Sequence, residues 1–140
     1  MKTKIETLHL ENLKKKILSY TQVDDEMVEE QMQFYQRIDL KKGDTLLTPG
    51  QLVDYFYYVA KGCIYYYKLD EGEQKVLEFY TDDIFFTDLP AYVKGTPSNY
   101  YLKASEATVV YAIKKSDAEN SFKRSHQLER LDDYRCKKLL

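Results

Sequence analysis

A chain of 140 residues has the size of one ordinary domain and enough material to bury a sizeable core. A hydrophobic share of 44%, a charged share of 31% and a formal net charge of -2 place it among globular proteins with no general attraction for nucleic acid. No run approaches the roughly 18 apolar residues of a membrane span, and the N-terminus "MKTKIETLHLENLKKK" lacks an apolar signal core. Cys63 and Cys136 match no zinc or redox spacing. The expectation is a cytoplasmic protein with free thiols, no membrane contact and no cofactor.

The first predicted element is a helix over "HLENLKKKILSY", with Leu10, Leu13, Ile17 and Leu18 near one face. Its lysine run reads as a solvated face. A second helix is expected to start from an Asp24 cap, to carry Asp25 and Glu26 in its first turn, and to run through "DEMVEEQMQFY". From Ile38 the pattern changes to short apolar or aromatic runs punctuated by Gly43, Gly50, Gly62, Gly72 and Gly95. The expected strands are "QRIDL", "TLL", "YFYYVAK", "CIYYYKL", "QKVLEFY", "IFF", "YYLKASE" and "TVVYAIK", with a hairpin turn at "LDEGEQ". Eight such strands predict a mainly β fold, an antiparallel jelly roll flanked by helices. Strand alternation puts Tyr65 and Tyr67 on one face and Tyr66 on the other. A final helix is expected after Ser116, capped by that residue with Glu119 at the third helical position. It carries Phe122, Leu128, Leu131 and Leu139 in a sparse apolar pattern. The chain thus divides into an N-terminal helical segment (1–37), a jelly roll (38–114) and a C-terminal helix (115–140).

Catalytic constellations are hard to assemble. A metal centre in a barrel of this shape needs several histidines on strands. The two histidines, His9 and His126, both fall on expected helices. Serine and cysteine nucleophiles lack a candidate base. The expectation is a protein that is not an enzyme.

The stretch "LKKGDTLLTPGQLVDYFYYVAKGCIYYYKLDEGEQKVLEFY", the segment "FFTDLPAYVKGTPSNYY" and the run "ATVVYAIKKSD" together resemble the cyclic-nucleotide-binding domain of Crp/Fnr-type transcription regulators. That resemblance implies a sensory or regulatory effector domain. It also implies a phosphate-binding cassette beginning Phe-x-Gly-Glu, with an Arg about ten residues later before a small hydroxyl residue. In the family the Glu accepts from the ribose hydroxyl and the Arg forks onto the cyclic phosphate.

Aligned without a gap, Thr87 stands at the cassette Gly, Asp88 at the Glu, Ser98 at the Arg and Asn99 at the hydroxyl residue. Another family Gly falls at Asp83. Tyr66 and Tyr80 fall on the nucleoside side, where their rings would fill space, and Asp82 and Asp83 would make the entrance less welcoming to an anion. The candidate pocket is therefore Tyr66, Tyr80, Phe86, Thr87, Asp88, Leu89, Ser98 and Asn99.

The reading is a degenerate nucleotide site in which cyclic AMP and cyclic GMP do not bind usefully. The alternatives are a small-molecule sensor of altered specificity and a protein-interaction module without a ligand. The family's helix-turn-helix would need two helices beyond Leu140, so no direct DNA binding by this chain is expected. With Arg135 and Lys138 interrupting its leucine seam, the last helix supports at most a weak homodimer.

Overall fold

The computed structural model describes residues 3–20 and 25–123, with the backbone alone at 121–123. The Asp24 cap, His126, Cys136, and the seam of Leu128, Leu131 and Leu139 with Arg135 and Lys138 lie outside the described residues, as does the Phe122 side chain.

The elements in chain order are α1 (Lys4–Tyr20), α2 (Asp25–Met32), β1 (Gln36–Leu40), β2 (Thr45–Leu47), β3 (Tyr55–Lys61) and β4 (Cys63–Asp70). They continue with β5 (Glu73–Thr81), β6 (Ile84–Phe86), α3 (Leu89–Lys94), β7 (Tyr101–Ala104), β8 (Thr108–Lys114) and α4 (Lys115–Lys123). The chain forms two compact units, one of residues 1–36 with 113–140 and one of residues 37–112. Among the described residues, no helix is long and apolar enough to cross a membrane.

In the first unit, α1 begins earlier than the apolar pattern alone suggests. Thr3 Oγ1 accepts from the Glu6 N–H at 3.1 Å, so "TKIE" caps the helix from its own start. The buried stripe is His9, Leu13 and Ile17, at i, i+4 and i+8, with Leu10 and Leu18 at its flanks. Hydrophobicity misses His9 because an imidazole counts as polar, although its ring packs well when neutral. Helix α2 stops at Met32 rather than running to Tyr35. Its end tightens into i→i−3 bonds, Phe34 N–H to the Gln31 carbonyl and Tyr35 N–H to the Met32 carbonyl. At the other end of the chain, α4 starts at Lys115 directly behind β8, which puts Ser116 inside the first turn rather than in front of it.

The second unit is the antiparallel roll. Its sheets run β1-β8-β3-β6 and β2-β7-β4-β5. Strand boundaries follow the aromatic and β-branched runs closely. Strand β7 is the exception: it ends at Ala104, and Ser105 N–H adds one last bond in the same register to the Cys63 carbonyl. Phe56, Tyr58, Val59, Ile64, Phe85, Phe86, Leu102, Val110 and Ala112 form the buried core.

Two turns join the strands around β4. Between β4 and β5 the paired residues Asp70 and Glu73 flank a two-residue loop with Glu71 at φ 53° and Gly72 at φ 81°. Positive φ at both central positions matches the right-handed twist of the strands, which is why a glycine is placed there. Between β3 and β4, Gly62 sits at φ 114° against β8. A Cβ there would fall 2.4 Å from Thr108 Oγ1 and 2.8 Å from the Ala107 carbonyl oxygen. That position admits no side chain.

Candidate functional site

The site is built where β6 hands the chain to the short helix α3 and where the chain returns to β7. The entry turn carries Asp83 at φ 66°, a left-handed conformation. Aspartate tolerates that region better than most residues. Its carboxylate accepts from the Tyr58 hydroxyl at 2.5 Å, and Asp82 accepts from the Gly62 N–H at 2.7 Å. The sequence reading gave these aspartates an anion-repelling role at an entrance. The bonds they make are turn-holding.

Past β6, Thr87 is 4% exposed and donates its hydroxyl to the Tyr55 carbonyl at 2.8 Å. Asp88 is the residue before α3, at φ −78° and ψ 88°, and makes no capping bond with its side chain. Pro90 lies in the first turn of α3 and Gly95 closes the helix in the left-handed conformation, its N–H on the Ala91 carbonyl.

Ser98 then meets the β2–β3 connection. Its N–H donates to the Gln51 carbonyl, and its own carbonyl accepts from the Gly50 N–H, both at 2.8 Å. Both flanks of the cassette are thereby fixed.

Asp88 and Ser98 are 2% and 1% exposed, and the Ser98 hydroxyl donates directly to Asp88 Oδ2 at 2.5 Å. The Tyr66 hydroxyl donates to Asp88 Oδ1 at 3.1 Å. Tyr100, which the sequence reading missed, completes the cluster. Its N–H donates to Ser98 Oγ at 2.9 Å, and its ring lies 4.8 Å from that of Tyr66. Alternation along "YYLKA" carried the signal for it: Tyr100 shares a parity with the buried Leu102 and Ala104.

Tyr80 and Phe86 stack at 5.0 Å, and Tyr57 stacks on Phe86 at the same distance. Leu89 is buried at the start of α3, whereas Asn99 is exposed and takes no part in the cluster.

Burial, then the charge and hydrogen bond of Asp88, push the Tyr66 phenol above its ordinary range, with smaller contributions from Tyr100 and Tyr80. Tyr80 is pushed up to about 12 by burial, then by Glu78 and Asp88. Among the described residues no Lys or Arg pairs with Asp88. An ionised carboxylate only accepts hydrogen bonds, and here two hydroxyls of the chain supply them. The cluster suits neutral or cationic donors and disfavours an anion.

A family model described as the cyclic nucleotide-binding domain matches residues 37–125, and the chain belongs to that family. No curated protein sequence matches it. Several solved structures share its fold. It is similar to a cyclic nucleotide-binding domain from Methylobacillus flagellatus (TM-score 0.79, 14% identity, 94% of this chain and 76% of that one). It is also similar to the sensor domain of the transcriptional regulator DNR from Pseudomonas aeruginosa (TM-score 0.75, 18% identity, 88% of this chain and 82% of that one). The catabolite activator protein of Thermus thermophilus aligns at a TM-score of 0.73 and 18% identity over 89% of this chain. This chain spans 56% of that protein.

Proposed function

We propose that this chain is a regulatory effector domain, not an enzyme, whose cassette no longer takes cyclic AMP or cyclic GMP. The observation that carries the reading is the direct bond from Ser98 to Asp88. Ser98 stands where the resemblance calls for an Arg on the cyclic phosphate, and it spends its hydroxyl on the carboxylate instead. Thr87, at the cassette Gly, is likewise committed to the Tyr55 carbonyl.

Hydrogen bonds to a charged group contribute about 1.5–3 kcal/mol each. Losing a bidentate Arg–phosphate pair therefore removes roughly 3–6 kcal/mol, about two to four decades of affinity. A buried carboxylate without a cation partner adds repulsion toward the phosphate.

The test is calorimetric titration with each nucleotide of the unmodified protein and of a Ser98→Arg, Thr87→Gly double variant. No heat from the unmodified protein and binding by the double variant is the expected pair of results. Low-micromolar binding by the unmodified protein defeats the reading.

A further inference from the structure

Tyr66 does more than pack. It faces inward from β4, opposite the fully buried Leu102 on β7 and opposite Glu78 on β5. Its hydroxyl reaches a carboxylate that is 2% exposed, while Tyr66 itself stays partly exposed. The phenol therefore joins the buried carboxylate to a residue that itself keeps some contact with solvent. Its ring rests on Tyr100, whose N–H in turn holds Ser98. Tyr66 thus touches the Asp88 end of the cassette directly and the Ser98 end through Tyr100. A residue present only for packing has no need to set its hydroxyl on a buried carboxylate. Tyr67, next along the strand, packs by ring stacking and makes no hydrogen bond among the described residues.

We propose that Tyr66 is a built-in occupant of the cassette, a phenol supplied by the chain that takes the place of a diffusible ligand and holds Asp88 and Ser98 in one arrangement. The proposal rests on the reading that no cyclic nucleotide sits there. It adds a ligand chemistry: with Tyr66 cut back, the vacated space accepts a neutral phenol that donates to Asp88. A phenol fits for the reason Tyr66 does, with a flat apolar ring against Tyr100 and one donor directed at an acceptor-only carboxylate.

The experiment uses the whole chain with Tyr66→Ala, and 4-methylphenol as the probe, followed by calorimetry and thermal denaturation. The expected result is a variant with a lower melting temperature that 4-methylphenol raises by several degrees, with no shift in the unmodified protein. Toluene, which has the ring but no donor, should raise it less. Equal binding of 4-methylphenol by the unmodified protein overturns the proposal, because the space beside Tyr66 would already be open. A folded variant that ignores the probe overturns it too.

Should Tyr66→Ala fail to fold, Tyr66→Phe keeps the ring and removes the donor. Faster hydrogen exchange at the Ser98 and Tyr100 amides, with β7 beyond them unchanged, is then the expected result, and unchanged exchange at both counts against the occupant. None of these measurements contains a nucleotide. Nucleotide binding by the unmodified protein would sink the proposed function, whereas the phenol result decides only the role of Tyr66.

Discussion

Tyr66 and Tyr67 are neighbours on β4, yet one turns inward to place its hydroxyl on Asp88 and the other turns outward to stack its ring between Tyr65 and Tyr101. The outward rings lie 4.9 Å and 4.7 Å from Tyr67, the latter within 6° of parallel, and leave Tyr67 only 3% exposed. Phe79 extends the row from β5 and is itself 59% exposed. One amino acid therefore does two kinds of work on opposite faces of one sheet. Outside, it contributes ring area. Inside, it contributes a polar tip, and the ring positions that tip. The difference is set by the face, since residue type and strand are shared.

The largest expected effect is the loss of stability at alkaline pH. The phenols of Tyr57, Tyr58 and Tyr66 are pushed up past their ordinary range, chiefly by burial, and Tyr80 reaches about 12. An unfolded tyrosine ionises near 10, so between roughly pH 10 and 12 the unfolded chain has released protons that the folded chain retains. Stability is full below pH 10 and falls as pH rises through this window. Circular dichroism should report cooperative unfolding, with phenolate absorbance rising in the same transition. A folded spectrum persisting after the phenols have ionised would contradict it.

Substitutions come next. Tyr67→Ala removes a ring held on both faces and should cost about 3–5 kcal/mol, the range for large buried aromatic truncations. Tyr66→Phe removes only an oxygen, yet leaves Asp88 short of a donor. Its expected cost is about 1–2 kcal/mol, the lower part of the range for charged hydrogen bonds because Tyr66 is partly exposed. Tyr67→Phe removes the same atom from the outward face, where the hydroxyl makes no hydrogen bond among the described residues, and should stay within about 0.5 kcal/mol. Urea denaturation of the three variants ranks them. Equal costs for the two Phe variants would erase the distinction between the faces.

The roll was legible because its signals are local. Glycines at turns and aromatic runs between them mark strands without knowledge of what pairs with what, and the "LDEGEQ" hairpin follows from backbone geometry alone. Alternation alone also separates Tyr66 from its neighbours. The bonding within the site was less legible. The family resemblance implies cassette positions for Ser98 and Asp88, but whether their side chains meet depends on how the β2–β3 connection seats Ser98 against Gln51 and Gly50. Nothing in the local pattern reports that distance. His9 was missed for a related reason: burial of a polar ring is decided by its surroundings, and hydrophobic periodicity scores only the residue itself.

The turn at Asp83 has a consequence for how sequences of this fold can drift. A glycine with a left-handed backbone looks indispensable, but the demand has two separable parts, the torsion angle and the room for a Cβ. At Asp83 only the first applies. An aspartate meets it and gains a bond to Tyr58, so an exchange between the two residues leaves the turn intact. At Gly62 both apply, and the wall formed by Ala107 and Thr108 closes off every other residue. This roll should therefore accept glycine, asparagine or aspartate at the first position and only glycine at the second.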